Sequence, residues 1–160
     1  MENAIKKELD YILHKVIDCL GIDELKVEYG DIFEDSILVF MENKIVINNK
    51  FYNDFKGSAK CIVHEARHAF QIYYVDLMDD ERAKRWERSF SNYIQPTLDK
   101  NYDYYALQEV EIDAYASTKF FLQLDGIDVT HKNPDYEEII DAYLRHNKKF
   151  YEECCSIEKG

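Results

Sequence analysis

A chain of 160 residues with 46% apolar side chains can build one domain around one sizeable core, and two prolines and five glycines leave no material for a linker. A formal net charge of -12 excludes an electrostatic hold on nucleic acid or on an anionic membrane surface. No apolar run nears the ~18 residues of a membrane span, and the mixed charges of residues 1–10 are unlike a secretory leader. Cys19, Cys61, Cys154 and Cys155 lack the spacing of a disulfide framework, so the expected setting is reducing and cytoplasmic, with the vicinal pair inert. The 13 tyrosines suit the edge of a modest core, where a ring is buried and its hydroxyl stays wet.

In chain order, Ile5, Leu9, Ile12, Leu13, Val16, Ile17 and Leu20 recur at helical spacing over 3–20, and Gly21 follows as a stop. Three β-type runs come next, at 25–29, 36–41 and 44–48; the last two flank Glu42 and Asn43 and read as a hairpin. A long helix is expected over 54–76, with Gly57 near its start. A second, over 79–94, is amphipathic through Ala83, Trp86, Phe90, Tyr93 and Ile94. Pro96 and Asn101–Tyr102–Asp103 mark a loop. A third helix is expected over 104–124, and after Pro134 a last one over 135–151. The order implies an α+β domain spanning 1–160, with a small antiparallel or mixed sheet packed on the long helix and further helices around it.

Inside the long helix stands His64-Glu65-Ala66-Arg67-His68, an HExxH motif. Residues four apart on a helix are neighbours, with Cβ atoms ~5–6 Å apart, so both imidazoles can take corners of one zinc tetrahedron. Glu65, about 100° further round, lies beside the metal and can take a proton from the water it activates. The plain alternative is a surface helix with two incidental histidines. Against it, Cys61, Ile62 and Val63 before the motif and Ala69, Phe70 and Ile72 after it predict a buried helix, where idle polar groups are costly.

A catalytic zinc takes three protein ligands and a water. A metzincin extension is excluded, because Gln71 and Tyr74 stand where Gly and His are needed. His14, His131 and His146 lie in unrelated contexts. The third helix offers Glu109-Val110-Glu111-Ile112-Asp113. Glu109 and Asp113 are four apart and share a face, whereas Glu111 projects roughly 200° away. Glu109 is therefore the expected third ligand, with Glu111 its rival, and Asp113 is expected to orient a ligand histidine through its free ring N–H. Read alone, the segment is better taken as a charged face of an amphipathic helix; beside HExxH it offers a ligand. Arg67 is expected to pair with an acidic neighbour, and Tyr104, Tyr105 and Tyr115 are candidates to stabilise an oxyanion.

HEARH followed by E-x-x-x-D-A-Y-A resembles the gluzincin metallopeptidases, and most nearly the minimal ImmA/IrrE type. There a short strand, here KIVINN, precedes the HExxH helix, and an E-x-x-A-[ND]-x-[FY]-A helix follows. The resemblance covers residues 36–125 and matches Glu109 to the metal glutamate, Asp113 to the Asn/Asp, and Tyr115-Ala116 to the aromatic-Ala pair. It implies a zincin-like fold, a bound Zn2+ and limited proteolysis of a protein or peptide substrate, such as a regulatory repressor. The sequence departs from that pattern at Ile112, where Ala is usual, in the long gap from His68 to Glu109, and in lacking a helix-turn-helix. A zinc-dependent peptidase is thus the leading expectation. The alternatives are a zinc-stabilised zincin-fold regulator without turnover, such as an antirepressor or inhibitor, and a metal-free acidic interaction domain. A regulator without turnover has no use for Glu65 as a general base.

Overall fold

The computed structural model describes residues 1–95 and 102–156, the last two through their backbone alone. Helix α1, Asn3–Leu20, buries Leu9, Ile12, Leu13, Val16, Ile17 and Leu20, the stripe laid out in the sequence. Gly21 ends it at φ 63°, a left-handed conformation open to glycine without a Cβ clash.

Strands β1 (Lys26–Gly30), β2 (Ser36–Val39) and β3 (Lys44–Asn48) form one mixed sheet in the order β1-β3-β2. The expected hairpin is present: β2 runs antiparallel to β3, with Ser36 opposite Ile47, and β1 lies parallel to β3 on its other side. Its turn carries a 3-10 segment at Phe40–Glu42 and closes on Asn43 at φ 48°, a conformation asparagine tolerates well. On the central strand, Ile45 and Ile47 alternate into the core and are fully buried. β2 is left as an edge strand, beginning at Ser36.

Helix α2, Phe55–Leu77, is capped by Asp54, whose carboxylate accepts the Gly57 N–H at 2.9 Å. Gly57 is required by close approach, since a Cβ there would lie 2.3 Å from the Phe51 ring. α2 packs on α1, β2 and β3. Helix α3, Glu81–Ser91, is shorter than its apolar periodicity predicts. Asp80 caps its start through the Ala83 N–H at 2.8 Å, and Asn92 closes its end on the Arg88 carbonyl, leaving Tyr93 and Ile94 in a loop.

The expected third helix is two helices, α4 (Tyr102–Ala106) and α5 (Glu109–Leu124). Between them Gln108 is extended, at φ -65° and ψ 140°, and its side-chain amide pairs with both the N–H and the carbonyl of Ile94, at 2.7 and 2.9 Å. That pairing offers the side chain a partner no continuous helix would give, and α5 begins afresh one residue later. Its first turn carries Glu109 and Glu111, where the helix dipole favours carboxylates. Helix α6, Pro134–Ser156, runs a turn beyond the expected end, because Tyr151 and Cys154 are buried. It packs on α5, which in turn packs on α2 and α3.

The fold is therefore α+β and mainly helical, with α2 at its centre. Tyr102 and Asp103, expected in a loop, open α4 instead; Pro96, Asn101 and the side chain of Cys155 lie outside the described residues. No helix among the described residues is long and apolar enough to cross a membrane.

Candidate metal centre

On α2, residues 64, 68 and 71 fall on one stripe, and that stripe faces the start of α5. His64 Nε2 and His68 Nε2 lie 3.1 Å apart. Glu111 joins them from α5, its Oε2 3.1 Å from His64 Nε2 and its Oε1 3.1 Å from His68 Nε2. The three groups are the one cluster of possible metal ligands among the described residues. Donors bonded at about 2.0–2.1 Å to one tetrahedral ion stand roughly 3.3 Å apart, so the spacing fits a single ion after slight relaxation. Two imidazoles and a carboxylate suit a divalent transition ion, zinc among them, and leave one tetrahedral corner open.

The third member is Glu111 and not Glu109. Glu109 turns to Arg85 of α3, 3.0 Å away, and stays partly exposed, whereas Glu111 is fully buried. Both carboxylates fall in the first turn of α5, and the two faces they occupy look at different neighbours: α3 for one, the histidine stripe for the other. Asp113 also differs from expectation. It shares the Glu109 side of the helix, and there it meets Arg67, not a ligand histidine. Arg67 Nε and Nη2 donate to it at 2.7 and 3.1 Å, and the Tyr151 hydroxyl adds a bond of 2.9 Å. Arg67 thus pairs with an acidic residue as expected, with its guanidinium fully buried beside Phe70, Trp86, Phe150 and Tyr151.

The contact expected of Asp113 is made by Gln71, whose Oε1 lies 2.8 Å from His68 Nδ1. The sequence carries no signal for this contact, because any helical residue three positions after His68 shares the spacing of Gln71. Tyr93 was also missed. From the loop after α3 its hydroxyl donates to Glu111 Oε1 at 2.6 Å. Burial first, then the Glu111 charge, pushes that hydroxyl's pKa far up, so it remains a donor.

Charge is tightly coupled at the centre. Burial alone would lower the pKa of His68, but the Glu111 carboxylate outweighs it and raises it to about 9. Burial alone would raise that of Glu111, but His68 and His64 hold it well below the usual carboxylate range. Glu111 is therefore ionised at neutral pH, the form that binds a cation.

Glu65 projects from α2 toward the edge strand, where the Ser36 hydroxyl donates to its Oε1 at 2.7 Å. It is 5% exposed, and among the described residues no Lys or Arg pairs with it. His64 and Glu65 open onto a cleft of about 400 Å³ between β2, α2, α5 and the segment before α6. Tyr105 and Tyr115 line it, and burial raises the pKa of both hydroxyls, keeping them protonated. The Tyr115 ring packs 4.7 Å from that of His64, centre to centre. Tyr104, by contrast, is 67% exposed and stands off the cleft. Cys61 lines the cleft as a thiol, its pKa pushed up to about 12 by burial. His131 also lines the cleft, while His14 and His146 are exposed, and none of the three joins the ligand cluster.

No protein-family model, curated protein or solved structure matches this chain.

Proposed function

We propose that the protein is a zinc-dependent peptidase of the zincin type, holding zinc through His64, His68 and Glu111 and using Glu65 as general base. The observation that carries this reading is Glu65 itself. A buried carboxylate with one hydroxyl partner and, among the described residues, no Lys or Arg paired with it is expensive as a structural device, and this one faces a cleft beside three convergent candidate ligand groups.

Zinc, when bound, supplies Lewis acidity at the scissile carbonyl and a lowered pKa for water. The protein's own residues do the rest. Ser36 occupies Oε1 of Glu65 and fixes the carboxylate's orientation, which assigns Oε2 to take the proton of the attacking water and return it to the leaving amine. Tyr105 and Tyr115, held protonated in the same cleft, are the available donors to the developing oxyanion. A cleft of about 400 Å³ accommodates a few residues of extended chain, which suits a peptide or protein substrate.

The test is digestion of an undirected peptide library by zinc-loaded protein, with new termini read by mass spectrometry. Wild type is expected to cut, and Glu65→Gln to bind zinc equally well while losing roughly 10²–10⁴-fold in rate. Cleavage by Glu65→Gln at the wild-type rate would remove the general base from the mechanism. A zinc-loaded wild type that cuts nothing would favour the regulator without turnover.

A further inference from the structure

Gln108 stands where a helix usually carries a capping side chain, yet its own does not cap α5. It reaches instead to the loop after α3. Its Oε1 accepts the Ile94 N–H at 2.7 Å, and its Nε2 donates to the Ile94 carbonyl at 2.9 Å and to the Tyr105 carbonyl at 3.0 Å. A backbone N–H can only donate, so the amide has a single orientation there. All three partners are main-chain groups, so the clamp fixes the path of the loop rather than one of its side chains.

The residue just before the clamp is Tyr93, whose hydroxyl donates to Glu111 Oε1 at 2.6 Å. Glu111 in turn enters α5 with its N–H on the Gln108 carbonyl, 3.0 Å away. Gln108 thus holds both sides of that contact: the helix that carries the carboxylate through its backbone, and the loop that carries the hydroxyl through its side chain. Among the described residues, Tyr93 is the one side-chain partner of the Glu111 carboxylate besides His64 and His68.

We propose that Gln108 is a positioning residue for Glu111. Its side chain bonds none of the three candidate ligands, but it keeps the Tyr93 hydroxyl on Oε1 and so fixes how the buried carboxylate meets the two histidines. The consequence for metal affinity rests on the zinc reading; the hold on Tyr93 does not.

The experiment starts from metal-free protein labelled with carbon-13 at tyrosine Cζ, a position that reports on the hydrogen bond of the hydroxyl. The Tyr93 resonance is the one that Tyr93→Phe removes. Gln108→Met, of similar volume, loses no side-chain cap, and it is expected to move that resonance toward the position of an exposed tyrosine. In chelator competition each variant should lose roughly 10–100-fold in zinc affinity. The double variant should lose little more than Tyr93→Phe alone, since both changes remove one interaction. Additive losses would mean that Gln108 acts elsewhere and would overturn the proposal. So would a folded Gln108→Met whose Tyr93 resonance stays in place. Tyr93→Phe that binds zinc as tightly as wild type would overturn it as well, whether or not Gln108→Met folds. A Tyr93 resonance that responds as expected in a protein that binds no zinc would uphold the positioning role and refute the metal reading alone.

Discussion

Glu111→Ala is expected to lower zinc affinity by well over the roughly 100-fold that loss of an outer partner causes, while Glu109→Ala stays close to wild type. The two glutamates are two residues apart on one helix, with the same charge and the same place in the first turn. Glu111 is fully buried with its oxygens 3.1 Å from each histidine, and Glu109 is spent on a partly exposed pair with Arg85. Deleting the first removes a candidate ligand and leaves His64 and His68 facing each other without a carboxylate between them. Deleting the second removes a partly exposed ion pair of about 0–1 kcal/mol. Zinc competition against a chromophoric chelator measures both variants. A silent Glu111→Ala beside a damaging Glu109→Ala would mean the centre is built from the other face of α5.

The second large effect lies behind the centre. Arg67→Met should destabilise the fold by about 3–5 kcal/mol, because it leaves Asp113 buried without its cation. The guanidinium is fully buried, donates twice to Asp113 and lies 4.6–5.5 Å from four aromatic rings. Methionine fills part of the volume and replaces none of the charge. Arg85→Ala, which breaks the half-exposed pair with Glu109, should cost less than about 1 kcal/mol. Urea unfolding of the two variants gives the comparison. An Arg67→Met unfolding free energy within about 1 kcal/mol of wild type would show that the pair contributes little beyond its packing.

The sequence was most readable where one periodicity was at work. The stripe of α1, the β2–β3 hairpin and the long helix bearing HExxH follow from apolar spacing alone, and they appear within one or two residues of expectation. His64, Glu65 and His68 come together for the same reason, since their spacing within one helix determines their relative directions. The third candidate ligand was harder because it depends on how two helices face each other. Glu109 and Asp113 do share a side of α5, as read, but that side turns to Arg85 and Arg67. A helix buried on several faces carries no apolar stripe to say which face meets the histidines: Val110, Glu111, Asp113 and Ala114 are all buried. The break at Gln108 was illegible too, because it depends on Ile94, a partner fourteen residues away.

X-ray absorption at the zinc edge, on protein reconstituted with one equivalent of zinc and freed of excess, probes the centre without a substrate. The expected spectrum has only nitrogen and oxygen neighbours at about 2.0–2.1 Å, with the multiple scattering of two imidazoles. The same sample of Glu111→Ala should retain little zinc. Sulfur neighbours at about 2.3 Å, or a wild-type protein that retains no zinc at neutral pH, would contradict a centre made of His64, His68 and Glu111.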